Sequence, residues 1–327
     1  MRSVCWDDNR GLVLVGTQGS EIYEITTENQ SVLLLSEGHC ADELWGLAAH
    51  PSDPDLFVTG GDDRTVRVWH ARERRLVRRS SVGSMTRAVA WSPDGAFLGC
   101  GLGGSVGRGR QKKDGAMMVL NSDLTIAHET RDSREWISDA KFSPDGSTFA
   151  IGSHDNKIYL YDVGKGFSLK GKCEKHNSYI THLDFSADSD FLQSNCGGFE
   201  LLFYKVVDGG HINSPSTLKD VEWASQTCPL GWPVQGIWPD YSDGTYYNAV
   251  ARSHDQQLLA TADEGGNVKL FNFPCVNKEA GYVSGRGHSS HVTNVRFLVG
   301  DQYLVSVGGS DRAVCQWRVV TSGLKGN

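Results

Sequence analysis

The sequence predicts an all-β protein, a single β-propeller in which seven small antiparallel sheets stand as blades around a ring. Three observations predict it. Apolar residues alternate with period two in short runs, the mark of half-buried strands. Clusters of Pro, Asp, Asn and Gly separate the runs as hairpin turns. A small residue just before a hairpin turn recurs at Gly16, Gly60, Gly101, Gly152, Asn195, Ala262 and Gly308, at intervals of 44, 41, 51, 43, 67 and 46 residues, against roughly 40–45 for one four-stranded blade. One blade cannot bury its own faces, so the unit must repeat.

The unit is clearest over residues 38–69, which open with Gly38-His39, turn at Pro51-Ser52-Asp53, pass Gly60-Gly61-Asp62-Asp63 and close on Trp69. A Gly-His opening with a Trp closure about 30 residues later is the WD-type blade pattern. Blade one is expected at 2–6, 12–16, 21–25 and 32–35, and blade two adds an outer strand at 76–80. Blade three starts at 85–91, turns at Ser92-Pro93-Asp94-Gly95, and has its third strand displaced to 116–120 by a glycine-rich insert. Blade four repeats the turn as Ser143-Pro144-Asp145-Gly146, with Tyr161 in the Trp position. Blade five covers 179–185, 191–194 and 201–204; blade six 249–252, 258–262 and 268–273; blade seven 291–297, 303–307 and 313–319. The expected domain is 1–320, with insertions at about 102–115 and 207–247 and a tail at 321–327. Nothing precedes the first strand and little follows the last, so blade seven is expected to lack its outer strand or to borrow the tail. The same feature suggests a piece of a longer chain.

A length of 327 residues exceeds the roughly 250–300 at which one compact core stops growing, a limit that a ring of neighbour-packed blades avoids. A net charge of −7 argues against general nucleic-acid binding, which needs a concentrated cationic face. Eight cysteines are scattered singly without a C-x-x-C pair, which reads as free thiols in apolar strands of a reducing compartment. No apolar run approaches the roughly 18 residues of a membrane helix, and no secretory leader precedes the first strand. The expectation is a soluble, cytoplasmic protein.

His39, Thr59, Asp63 and Trp69 occupy the positions of a WD hydrogen-bond network, in which an imidazole bridges a carboxylate and a hydroxyl that meets the indole. The same residue types serve hydrolysis elsewhere, but buried groups of this kind more simply brace the blade's turns. Blade seven keeps His288, Asp311 and Trp317 and puts Val307 where the hydroxyl is expected. Gly103-Gly104-Ser105-Val106-Gly107 matches a nucleophile elbow in letters only, since no helix pattern follows Ser105. No phosphate loop or metal motif is found, and His288-Ser-Ser-His291 reads as a capping residue and a strand start, so no cofactor or metal is expected. Two basic clusters, Arg72, Arg74, Arg75, Arg78, Arg79 and Arg108, Arg110, Lys112, Lys113, are either solvated edge charge or a dock for an acidic polypeptide. Within the long insertion, Trp232 and Trp238 are either packing or binding anchors.

Ala41 to Pro51, Gly152 to Asn156, Ser178 to Asp184, Val221 to Ala224 with Gly236 to Trp238, Asn248 to His254 and Gly287 to Val295 go beyond a generic repeat. Across essentially residues 2–320 the chain resembles the second propeller of the echinoderm microtubule-associated protein-like family. The resemblance implies a non-catalytic scaffold associated with tubulin or microtubules, located in the cytoplasm and on the cytoskeleton, cilia and axonemes included. It also implies a preceding propeller, a coiled coil and a basic region in longer members. The rival readings are an adaptor for a non-tubulin client and a propeller-based hydrolase using Ser105.

Overall fold

The computed structural model describes residues 1–104, 113–238, 240 and 246–320. It contains seven antiparallel sheets and three short 3₁₀ turns, Val163–Lys165, Pro215–Leu218 and Trp232–Ile237. Sheet one is β1 (Ser3–Asp7), β2 (Leu12–Gly16), β3 (Ile22–Thr26) and β4 (Val32–Ser36). Sheet two is β5 (Leu44–Ala49), β6 (Leu56–Gly61), β7 (Thr65–His70) and β8 (Arg75–Ser81). Sheet three is β9 (Thr86–Trp91), β10 (Phe97–Leu102), β11 (Met117–Asn121) and β12 (Ile126–Thr130). Sheet four is β13 (Ile137–Phe142), β14 (Thr148–Ser153), β15 (Ile158–Asp162) and β16 (Ser168–Cys173). Sheet five has three strands, β17 (Ile180–Phe185), β18 (Phe191–Cys196) and β19 (Leu201–Lys205). Sheet six is β20 (Tyr247–Arg252), β21 (Leu258–Asp263), β22 (Asn267–Asn272) and β23 (Tyr282–Arg286), and sheet seven is β24 (Val292–Phe297), β25 (Tyr303–Gly308) and β26 (Val314–Arg318). Among the described residues blade seven lacks an outer strand, as expected; the tail, residues 321–327, lies outside them.

The turns form for the reasons their residues give. Ser92 Oγ donates to Asp94 and accepts from Phe97 N at 2.8 Å. Gly95 supplies a φ of +71° that side chains resist. The second Ser-Pro-Asp-Gly turn repeats this at Ser143, Asp145 and Thr148, with Gly146 at +72°.

Sheets two to seven share a device that sheet one lacks. Each inner strand carries a one-residue bulge near its start, at Trp45, Arg87, Ser138, Thr181, Asn248 and Thr293, whereas β1 and β2 pair without a shift. A bulge re-aims a side chain, and here several reach the next blade. Ser138 Oγ donates to Ile180 O, Asn248 Nδ2 to Val292 O at 3.0 Å, and Thr293 Oγ1 to Leu44 O at 2.6 Å. The last of these joins blade seven directly to blade two. Leu44 and Leu47 of β5 share a buried apolar cluster with Val305 and Val307 of β25, so the ring closes there.

The β1–β4 sheet stands apart from that closure. No residue before His39 is buried, and Val4, Trp6, Val32 and Leu33 are each more than half exposed. Since no residue of the sheet is fully buried and little apolar area is therefore withdrawn from water, deletion of residues 1–36 is expected to leave the unfolding free energy of the remaining ring, from urea titration, unchanged to within about 0.5 kcal/mol. A larger destabilisation would mean that the sheet supports the ring.

Blades five and six meet through His182 of β17, whose Nε2 lies 3.0 Å from Asn248 O of β20, rather than through a bulged side chain. Part of the long insertion wedges between them: Ala224 N donates to Phe185 O and Arg252 N to Gln226 O. Asp184, fully buried, accepts from Thr227 N at 2.8 Å and Cys228 N at 2.9 Å.

Candidate functional site

The hydrogen-bond networks are built from residues that the hairpins bring together. In blade two, His39 Nδ1 lies 2.9 Å from Asp63 and Nε2 lies 2.8 Å from Thr59 Oγ1, which also accepts from Trp69 Nε1 at 2.7 Å. His39 is 4% exposed and Thr59 wholly buried, so a substrate has no access to the set. Burial raises the Asp63 carboxyl, but hydrogen bonds from His39 and Thr65 and the charge of Arg67 outweigh it and hold the pKa at about 2. Arg67, itself buried, lies 3.3 Å from Asp63 and 3.7 Å from Glu37, a member the pattern did not reveal.

In blade seven the hydroxyl is Ser306, not absent at Val307. His288 Nε2 and Trp317 Nε1 each lie 2.8 Å from Ser306 Oγ, and His288 Nδ1 is 3.3 Å from Asp311. The register gives the reason: Gly308 faces Val292 as Gly61 faces Leu44, so Ser306, two residues earlier, is the counterpart of Thr59. His291 instead lies 3.5 Å from Glu43, so the two histidines of His-Ser-Ser-His serve different partners. Blade four uses Ser133, which bonds Ser153 and Asp155, and Tyr161 donates to Asp132 because Ile151 fills the hydroxyl position.

Blade five places a sulfur in its network. Cys196 stands where blade two has Gly61, and Sγ lies 3.2 Å from Glu200, which also receives His176 Nδ1 at 3.2 Å. The imidazole, thiol and carboxylate atoms fall within 4.8 Å of one another, close enough to hold a small metal ion. Spread over 24 residues, they form no recognisable sequence motif.

At one mouth of the ring, bulge and rim residues form a stacked belt. The Arg87 guanidinium sits 5.1 Å from the Trp45 ring and 5.3 Å from Trp136 while pairing with Asp62 at 2.6 Å. Trp136 stacks on His154 at 3.4 Å, and His154 on Tyr179 at 4.3 Å. Burial, reinforced by the Arg87 charge, holds the His154 pKa at about 3. The belt walls a cavity of about 400 Å³ whose rim includes the exposed Tyr179 and Phe199.

The first basic cluster does not act as one patch. Arg78 donates to Ser122 O at 2.7 Å and Arg79 pairs with Glu37 at 3.3 Å. Arg72, Arg74 and Arg75 point instead into a groove of about 770 Å³ beside β26, together with Arg286 and Arg318. In the second cluster Lys113 pairs with Glu129 at 2.8 Å, while Arg108, Arg110, Lys112 and Ser105 lie outside the described residues. Trp238 packs against Tyr247 and donates to Pro229 O, so its role is internal; Trp232 is 84% exposed. Five cysteines are buried free thiols, and no helix among the described residues is long and apolar enough to cross a membrane.

Comparison with known proteins adds to this geometry. Residues 44–319, from the first residue of β5 to just past β26, match the sequence model of the echinoderm microtubule-associated protein second beta-propeller. The chain belongs to the echinoderm microtubule-associated protein-like family. It is 42% identical over 316 residues to mouse echinoderm microtubule-associated protein-like 2, covering 92% of this chain and 46% of that protein. With mouse echinoderm microtubule-associated protein-like 1 it shares 40% identity over 317 residues, 95% of this chain and 36% of the relative. The chain thus spans less than half the length of these relatives. A chain of a mitotic checkpoint complex crystal structure shares the fold at 15% identity, with a TM-score of 0.53 over 97% of this chain and 86% of the other. The match to the second-propeller model leaves the β1–β4 sheet of this family member outside it.

Proposed function

We propose that the chain is a non-catalytic scaffold that associates with microtubules or with unpolymerised tubulin, in the cytoplasm and on the cytoskeleton, cilia included, as one half of a longer tandem-propeller protein. The observation that carries this reading is membership of the family over residues 44–319. The buried state of both histidine networks supports the non-catalytic part, because His39, Thr59, His288 and Ser306 are each at most 4% exposed. Of the first basic cluster, Arg72, Arg74 and Arg75 line the groove beside β26, Arg74 without an acidic partner among the described residues, which supports their meeting an acidic surface; Arg78 bonds Ser122 O and Arg79 pairs with Glu37. The test is co-sedimentation with microtubules at low and physiological salt beside size-exclusion binding to free tubulin. Binding is expected to weaken as the Debye length falls below about 10 Å, and to be lost in the Arg72/Arg74/Arg75→Glu variant. Retention by the variant would remove these arginines from the contact. No binding to either form would favour the second reading, an adaptor for another client. The specific support for that reading is the belt-walled cavity with Tyr179 and Phe199 at its rim.

A further inference from the structure

The third strand of a blade exposes a row of backbone groups unless something covers it. Strands β8, β12, β16 and β23 cover β7, β11, β15 and β22. In blade five the insertion does it: Lys205 N donates to Gly210 O and Ile212 N to Phe203 O, closing the edge of β19. Among the described residues only β26, of the six third strands in the closed ring, is left bare. Gly308 N donates to Ala313 O and Val319 N to Gln302 O. Antiparallel alternation then turns the N–H and C=O groups of Val314, Gln316 and Arg318 outward.

The space the missing strand would fill is the groove of about 770 Å³ between blades six and two. Trp69, Trp317 and Tyr303 form part of its wall. In a chain of net charge −7, five arginines line it and no carboxylate does. Arg72 leans on Asp55 at 3.3 Å and Arg75 on Glu73, just outside the lining. Among the described residues Arg74, Arg286 and Arg318 have no acidic partner. Unpaired edge groups bind extended chains by strand addition, with side-chain pockets setting preference, and guanidinium groups favour carboxylates through charge-assisted bonds.

We propose that blade seven takes a fourth strand in trans: an extended acidic segment of a partner protein, paired antiparallel or parallel to β26 and held by the surrounding arginines. The site goes beyond the microtubule reading, since any protein carrying such a segment can occupy it.

The test uses fluorescence anisotropy of a short, end-blocked peptide of alternating Glu and Val, with no tubulin present. Saturable one-to-one binding is expected. It should weaken by roughly tenfold in Arg74/Arg318→Glu and disappear in Gln316→Pro, which removes an outward N–H but no bond to β25. The same peptide N-methylated at alternate residues should not bind; because it requires no protein variant, this arm stands even if Gln316→Pro misfolds. Equal binding of the N-methylated peptide would overturn the proposal in favour of plain charge adsorption, and so would failure of the Glu-Val peptide to bind. Tighter binding after removal of residues 321–327 would assign the edge to the chain's own tail. Loss of binding through dimerisation at high protein concentration would assign it to a second copy. Co-sedimentation with microtubules can succeed while this peptide fails, which keeps the two readings separable.

Discussion

Thr59→Val is expected to lower the unfolding free energy by about 3 kcal/mol, measured by urea titration. The substitution keeps the side chain's shape, so a cavity is not the cause. It removes the one oxygen that meets both His39 Nε2 and Trp69 Nε1. A buried polar group left without a partner costs about 1–3 kcal/mol, and two are left here. Ser306→Ala should cost nearly as much, because His288 and Trp317 lose the same oxygen. Ser194→Ala should cost about 1 kcal/mol, since Ser194 serves His176 and Tyr204 in the tryptophan position does not bond it. Equal losses at all three sites would show that the networks act through packing rather than through hydrogen bonds.

Stability should fall steeply as pH drops below about 6.5. Burial lowers the pKa of His39, His50, His154, His176, His182 and His288, and His154 is held at about 3. With the folded pKa below the unfolded value, the unfolded chain binds more protons between the two. Unfolding is therefore favoured by acid, and the stabilising state of each group is the neutral one above 6.5. Each histidine contributes at most about 1.4 kcal/mol per pH unit within its window. Asp63 and Glu200, both held at about 2, add a second loss as pH falls from about 4 toward 2. His154 is flanked by Trp136, Tyr179, Arg87 and Asp155, so His154→Phe keeps an aromatic ring in the stack. That variant should show a pH slope shallower by about one proton between 6.5 and 4. An unchanged slope would mean that His154 titrates in the folded protein much as it does in the unfolded chain.

The strands were legible because period-two alternation and turn chemistry act locally, and the Ser92 and Ser143 turns formed as their residues dictate. The blade-two network was readable for the same reason, its four members lying in one hairpin unit. Val307 was misassigned because a small residue before a turn marks the hairpin only to within one position, and pairing decides the rest. The arginine cluster divided because register and a bulge between Val68 and Trp69 send neighbouring side chains to different surroundings. That consecutive blades adjoin was readable from the repeat, but that blade seven closes on blade two and leaves the β1–β4 sheet outside was not. An exposed blade such as β1–β4 alternates like a covered one, and the contact of Thr293 with Leu44 spans 249 residues.

The stitch from a bulged residue to the next blade's inner strand recurs at the junctions four–five, six–seven and seven–two. The closing junction, seven–two, is thus sewn in the same way as two ordinary ones, so the ring has no latch of a separate kind. Blades can dock in more than one order, each docking event adding a neighbour interface. The junction of blades five and six is built differently, with the 224–228 wedge set between them beside the contact of His182 with Asn248 O. A joint that depends on a folded insertion is expected to open first under stress, which hydrogen exchange at the Thr227 and Cys228 amides would show.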